Sequence, residues 1–355
     1  MAAKQIQISN DGGTIFRGLP GAQGSFNVNG EAVDDTILGQ TYKSSDVGLI
    51  TWSISADAIF KGFSGYLAEL KQVGTAVVFT AESMTLVSGK TYAIDDATKE
   101  IWDRTEPTMD ILDAAVSIAA ADIESIDYLF GRVTFIPAFT PGGAVTATGK
   151  SFPVAAMGCA NSYTLTMTAD QKDESCFDLV QANSGTRIFS PGLRTVSLEL
   201  GGIFDATDSF KDVVTTRAEV IIEIDPAGDG SSIARGFFRL ATAGQSGAVG
   251  AVEEETTNWE LTVPDETINP IVSLPFNWRH TATTLNQSIQ DLLTSWLTEL
   301  NTFDVRYLPN GAIGQSPLDG IEGNFMVSDV SLSGGLSNMN VFQAELIGTG
   351  AFTVV

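Results

Sequence analysis

The sequence predicts a mainly β protein with a minority of helix (α+β), arranged as two tandem copies of one domain. Three observations predict it: short runs that alternate apolar and polar side chains, turn residues between them, and one such run that recurs 144 residues further on (192 − 48). Alternation with a period of two marks a half-buried strand.

Tyr163-Thr164-Leu165-Thr166-Met167-Thr168 alternates without a fault, and so does Trp259-Glu260-Leu261-Thr262-Val263. Val145-Thr146-Ala147-Thr148 carries β-branched residues suited to a pleated surface. Val327-Ser328-Asp329-Val330-Ser331-Leu332 alternates except at Ser328-Asp329, which predicts a bulge or a phase slip there. The first 24 residues carry glycines at 12, 13, 18, 21 and 24 and read as an irregular arm.

Helices are fewer. Gly65–Lys71 and Asp208–Val214 read as short helices, the second with Asp208 or Ser209 as N-cap. The strongest is Thr284–Leu300, where Leu285, Ile289, Leu292, Leu293, Trp296, Leu297 and Leu300 form one face of a 3.6-residue period.

The repeat sets the domain organisation. Gly48-Leu49-Ile50-Thr51-Trp52-Ser53-Ile54-Ser55-Ala56-Asp57-Ala58-Ile59-Phe60 aligns without gaps on Gly192 to Phe204, with six of thirteen residues shared. Ordinary residue frequencies give about one match by chance. A second strand follows in each copy, Ala76-Val77-Val78-Phe79 and Glu219-Val220-Ile221-Ile222. The period is too long for a solenoid, so the expectation is two homologous domains, 1–158 and 159–355.

Charge bounds the partners. Nineteen Lys and Arg stand against 43 Asp and Glu, a net charge of −24. Such a surface repels nucleic-acid phosphates and anionic membranes. Acidity serves either solubility or a wall past which DNA slides without sticking. Cys159 and Cys176 have no metal-ligand spacing and make no disulfide framework. The N-terminus has no apolar signal core, and no apolar run reaches membrane-spanning length.

No catalytic or metal residue is singled out, and no cofactor is implied. The one histidine, His280, has no nucleophile motif beside it. Asp225-Pro226-Ala227-Gly228-Asp229-Gly230 lacks the third and twelfth ligands of a calcium loop, where Ala227 and Gly236 stand. Glu253-Glu254-Glu255 reads as a solvated loop, and Asp34-Asp35 and Asp95-Asp96 as turn residues. There is no P-loop and no dinucleotide-binding glycine pattern.

Three patches resemble the major tail tube proteins of long-tailed, siphovirus-like phages. Leu165–Asp170, Cys176-Phe177-Asp178 and Ser190-Pro191-Gly192-Leu193-Arg194-Thr195-Val196-Ser197-Leu198 resemble that family's opening strand, polar loop and turn. Val327–Leu332, Val341–Leu346 and Gly348-Thr349-Gly350 resemble its closing hairpin and tail. Lys43–Trp52, Tyr128–Phe135 and Ala147-Thr148-Gly149 are a looser version in the first copy. The chain departs from the family in having two domains, an extra helix near 284–300, and a segment 95–127 that does not align.

The resemblance implies tandem β-sandwich or barrel-like domains, each with a short flanking helix, that close into stacked rings. It implies a virion protein, made in the host cytoplasm, with no enzymatic role. Its partners would be copies of itself, a tape-measure protein and tail-terminator or adaptor proteins, with DNA passing through unbound. Three chains would supply six domains, a pseudo-sixfold trimer. The competing reading is a surface β-sandwich adhesin or carbohydrate-binding module, which predicts a signal peptide, calcium loops or an exposed aromatic platform, with Trp52, Trp102, Trp259, Trp278 and Trp296 as candidates for the last. A hydrolase on a β scaffold is a third, and it requires a pocket with a perturbed acid–base pair.

Overall fold

A computed structural model describes residues 5–9, 13–19, 23–34, 45–61, 67–72, 75–105, 109–156, 160–176, 185–203, 218–226, 230–247, 253–263, 272–280, 287–298, 302–309, 320–335 and 338–355. The chain folds as two compact units, each drawn from separated segments. Unit 1 takes Met1–Tyr66, Ser162–Glu199 and His280–Val355, and unit 2 takes Leu67–Asn161 and Leu200–Arg279. The division expected from the repeat, after residue 158, falls within a segment of unit 2. The first copy of the repeat supplies its first strand to unit 1 and its second to unit 2; in the second copy the boundary falls within the first strand, after Glu199, and the second strand lies in unit 2.

Met1–Tyr66 carries β1 (Gln5–Ser9), β2 (Arg17–Gly18), β3 (Gln23–Asp34) and β4 (Ser45–Lys61). The next segment carries β5 (Leu67–Gln72), β6 (Val77–Ser88), β7 (Thr91–Ile94), β8 (Asp110–Asp113) and β9 (Val116–Ser117). It continues with β10 (Ile123–Asp127), β11 (Arg132–Phe135), β12 (Val145–Ser151) and β13 (Val154–Ala156). β14 (Ala160–Asp173) and β15 (Phe189–Ile203) follow. Then come β16 (Val220–Asp225), β17 (Ser232–Ser246), β18 (Glu254–Leu261), β19 (Val272–Ser273) and β20 (Phe276–His280). The last segment carries α1 (Gln287–Thr298), β21 (Phe303–Leu308), β22 (Ile321–Gly335) and β23 (Asn338–Val354).

The molecule is mainly β, and α1 is the one α-helix among the described residues. The alternating runs at 145–148, 163–168 and 327–332 lie in strands, and 259–263 supplies the end of β18. Two expectations are corrected. Residues 67–71 of the first expected helix lie in β5, because antiparallel pairing with β13 and β16 on its two edges overrides the helix-forming composition. The first 24 residues are not all irregular. Gln5-Ile6-Gln7-Ile8-Ser9 alternates, and β1 buries Ile6 and Ile8 while pairing with β21 and β2. The helix expected at 208–214 lies outside the described residues.

Unit 1 is built on an antiparallel sheet in the order β15, β14, β22, β23, β4, β3. The first half of β22 leaves this path and pairs with β21, which leads to β1 and β2. The helical periodicity at 284–300 is realised in α1, which buries Ile289, Leu292, Leu293 and Trp296 and lies against β1, β2 and β22. The broken alternation at Ser328-Asp329 is a register shift between Val327 and Asp329.

Trp52 anchors this core. Its ring lies 4.4 Å from Phe325 and 5.0 Å from Phe352, and its Nε1 donates to Gly350 O at 3.0 Å. A Cβ on Gly348 would meet the ring at 2.1 Å, and one on Gly323 at 2.3 Å. The Gly-x-Gly tail therefore has a packing reason: Gly348 makes room for the indole, and Gly350, at φ +82, receives its N–H.

Unit 2 has one group of strands in the order β13, β5, β16, β17, β18, with β20 also on β17. A second path runs β19, β10, β11, β7, β6, β12, β8, β9, antiparallel except between β10 and β19. Its core includes Trp102, Tyr128, Phe130, Phe135, Ile221 and Phe237. Buried charge threads this unit. Arg235 pairs with Glu223 and Glu100, Arg279 joins Glu100 at 2.9 Å, and both guanidinium groups lie 4.6 Å from the Phe130 ring. Asp127 accepts from Leu129 N, Phe130 N and Asn277 Nδ2, and burial holds its carboxyl above the ordinary carboxylate range.

Candidate functional site

The sheet of unit 1 has two chemically opposite faces. Ile54, Ala56, Leu346, Ala344, Val330, Leu332, Leu165, Met167, Val196 and Leu198 point into the core. The other face is set by the intervening residues. One row crosses six strands: Ser25, Ser55, Glu345, Asp329, Thr168 and Thr195. The next row runs Gln23, Asp57, Gln343, Ser331 and Thr166. Gln343 Nε2 donates to Asp57 Oδ1 at 3.0 Å and Ser331 Oγ donates to Gln343 Oε1 at 3.3 Å.

Asp57, Glu345, Asp329, Asp170 and Glu199 put five carboxylates on this face. Among its described side chains the one cation is Lys172, toward the end of β14. Asp329 and Glu345 stand directly opposite one another in β22 and β23. Partial burial, and then the Glu345 charge, hold the Asp329 carboxyl above its usual range. Like charges placed opposite each other weaken a sheet.

Two ribbons extend from the packed regions. In unit 1, residues 27–34 of β3 are exposed on both faces, although they pair with β4. Arg187 clasps this ribbon: its guanidinium reaches Glu31 at 3.0 Å and Asp173 at 2.7 Å, and its N donates to Ile50 O at 2.9 Å. In unit 2, residues 241–246 of β17 are exposed while their partner β18 buries Thr257 and Trp259. Each ribbon has one strand edge with no described strand against it, and such an edge is a template for further pairing.

The residues singled out in the sequence are dispersed. Burial of His280 pushes its imidazole down to about 4 and keeps it neutral. Glu254 and Glu255 open β18 opposite Ser246 and Gln245. Asp225 Oδ2 accepts from Gly230 N at 2.7 Å, closing a turn between β16 and β17. Asp96 caps a single 3-10 turn, Ala97–Lys99. Among the described residues no group of three or more His, Cys, Asp or Glu is placed to hold a metal ion. All five tryptophans are buried, none more than 5% exposed. No helix of the described residues is long and apolar enough to cross a membrane. Sequence reasoning missed the acidic face as a unit, since it depends on which strands become neighbours. The alternation of Ser, Thr, Asp and Glu along each strand was its one signal.

No protein-family model matches this chain, and no curated protein matches it in sequence. Among solved structures the chain is similar to one from the tail of an empty GTA particle, determined by helical refinement with C6 symmetry. That likeness has 13% identity and a TM-score of 0.28, over 37% of this chain and 87% of the other.

Proposed function

We propose that this protein is a structural virion protein, the major tail tube subunit of a long-tailed phage, which assembles into stacked rings around an acidic channel for DNA. The carrying observation is the six-strand face with five carboxylates and, among its described side chains, no central cation. Duplex DNA bears about one charge per 1.7 Å of axis, so a wall of like sign keeps it from adhering. Salt limits that repulsion to about 8 Å, so it acts at the wall itself.

The exposed ribbons support self-assembly. A strand edge left without a neighbour is a template for another chain, and a heterologous contact that closes makes a ring. With two copies of the repeat per chain, three chains supply a pseudo-sixfold ring. Tape-measure and terminator proteins would be its partners in a tail, and the reading assigns it no catalysis. An exposed tryptophan platform would favour the adhesin alternative, and all five tryptophans are buried.

Electron microscopy of the purified protein tests the reading. Rings or tubes with an open centre are expected, and a protein that stays monomeric at high concentration would sink it. Native mass spectrometry should count three chains per ring, and six would end the trimer. Glu345→Lys with Asp329→Lys should make assembled tubes retain duplex DNA at low salt.

A further inference from the structure

The two units contain hairpins of the same plan. In unit 1, the first half of β22 pairs with β21, from Ile321↔Tyr307 to Phe325↔Phe303. The register then shifts between Val327 and Asp329, and beyond the shift the same edge is taken by β14. The opposite edge belongs to β23. In unit 2, the first half of β17 pairs with β16, from Ile224↔Ala234 to Val220↔Phe238. The register shifts between Leu240 and Thr242, and the opposite edge belongs to β18. β20 joins β17 on that β18 side, near Phe237, whose N donates to Pro275 O and whose O accepts from Thr262 N. Beyond the shift, no described strand takes the place that β14 takes on β22.

The repeat says which strand is equivalent to β14. The 144-residue offset carries Thr51 of β4 onto Thr195 of β15. Thr51 stands opposite Asn29 of β3, and Thr195 meets Thr168 of β14. Asn29 and Thr168 therefore hold the same place in the two copies. Thr168 is the residue that pairs with Asp329, the first residue past the shift in β22. The edge of β3 from Gln23 to Gly30 has no strand against it among the described residues. It carries no charge and no proline, and neither does β17 from Leu240 to Ser246. Edges that must stay apart are normally guarded by charge or proline.

We infer that β3 of one subunit pairs antiparallel with β17 of the next, in the register of β14 on β22: Asn29 opposite Thr242, Asn27 opposite Gly244, Ser25 opposite Ser246. The partner is a second copy of this chain, and the inference rests on the ring assembly proposed above, which it makes specific. The faces agree independently. Ser25, Asn27 and Asn29 lie on the polar face of β3. Thr242, Gly244 and Ser246 lie with Asn258, Thr256 and Glu254 on the face of β17–β18 opposite Trp259 and Thr257. Polar side chains thus continue across the junction. A slip of one residue would turn them to the other side.

Cysteine cross-linking in assembled protein tests the register. Directly opposed residues have Cα atoms about 4.5–5.5 Å apart, within disulfide reach. A Cβ at Gly244 meets nothing within 4 Å, so the site takes a side chain without a clash. Asn27→Cys with Gly244→Cys should give covalent multimers on oxidation, about tenfold above either single variant, because assembly raises the local thiol concentration. Asn27→Cys with Ala243→Cys should stay at the single-variant level. The unsubstituted chain sets the background from Cys159 and Cys176. Rings in which the first pair links no better than the second would overturn the register and leave ring assembly standing. No rings from the unsubstituted chain would overturn both. Gly244→Lys supplies a second readout: rings should be lost while the thermal midpoint of the subunit stays in place, and rings that persist would count against the inference.

Discussion

Hairpins β22–β23 and β17–β18 share a first half covered by a neighbour and a register shift, and they part company beyond it. Past its shift β22 carries Val330 and Leu332, both fully buried under a neighbouring strand's support. At the corresponding core-side positions β17 carries Ala243 and Gln245, both exposed. Strand geometry is the same in both. Side-chain burial follows whether a neighbour is present within the subunit.

The largest effect is expected at Trp52, which the covered hairpin encloses. Trp52→Ala should cost about 4 kcal/mol in urea unfolding, and a loss under 1 kcal/mol would mean that the hairpin does not depend on this anchor. In unit 2 the hairpin is rooted by buried charge instead. Arg235→Met leaves Glu223 and Glu100 without their common partner and should cost about 3 kcal/mol, with loss of cooperativity in that unit by hydrogen exchange. Smaller effects should be gains. Ala114 and Ala115, at φ 47 and 66, form the turn between β8 and β9. Ala114→Asn with Ala115→Gly should raise stability by about 1 kcal/mol, since both positions require the left-handed region. An unchanged or lower melting temperature would refute the strain.

Asp329→Asn should gain about 0.5 kcal/mol at neutral pH by removing a like-charge pair. The sign of its pH dependence follows from the raised carboxyl. The folded chain holds that proton more tightly than the unfolded one, so stability contributed by the group is fully present below the unfolded value of 3.8 and is lost as pH rises through the folded pKa. The Asn variant should flatten that slope, and parallel pH curves would exclude Asp329 as its source. Least of all, Gly244→Lys on the bare edge should move subunit stability by no more than about 0.5 kcal/mol.

Much of the fold could be read in advance, and the reasons are local. The Thr alternation of 163–168 and the amphipathic stripe of 284–300 each state their own period, so tertiary contacts had nothing to override. Leu67-Ala68-Glu69-Leu70-Lys71-Gln72 has helix-forming composition, but its two edges pair with β13 and β16. The role of Gly348 and Gly350 could not be read, because it depends on an indole almost 300 residues away in sequence. The candidate site was legible only as an excess of acid. Its assembly into one face waits on β4, β14, β22 and β23 becoming neighbours. The interleaving of units was hidden for the same reason: a repeat reports ancestry, and contacts report packing.

The acidic face has a consequence of its own. With Lys172 the one cation among its described side chains, the face of Asp57, Asp170, Glu199, Asp329 and Glu345 draws counterions from solution. Small mobile cations will therefore crowd over this surface in dilute buffer. Any bound polycation, such as spermidine, would expel them, and its affinity should fall steeply with added sodium chloride. A hollow lined this way would behave as an ion exchanger, with a Donnan excess of cations inside.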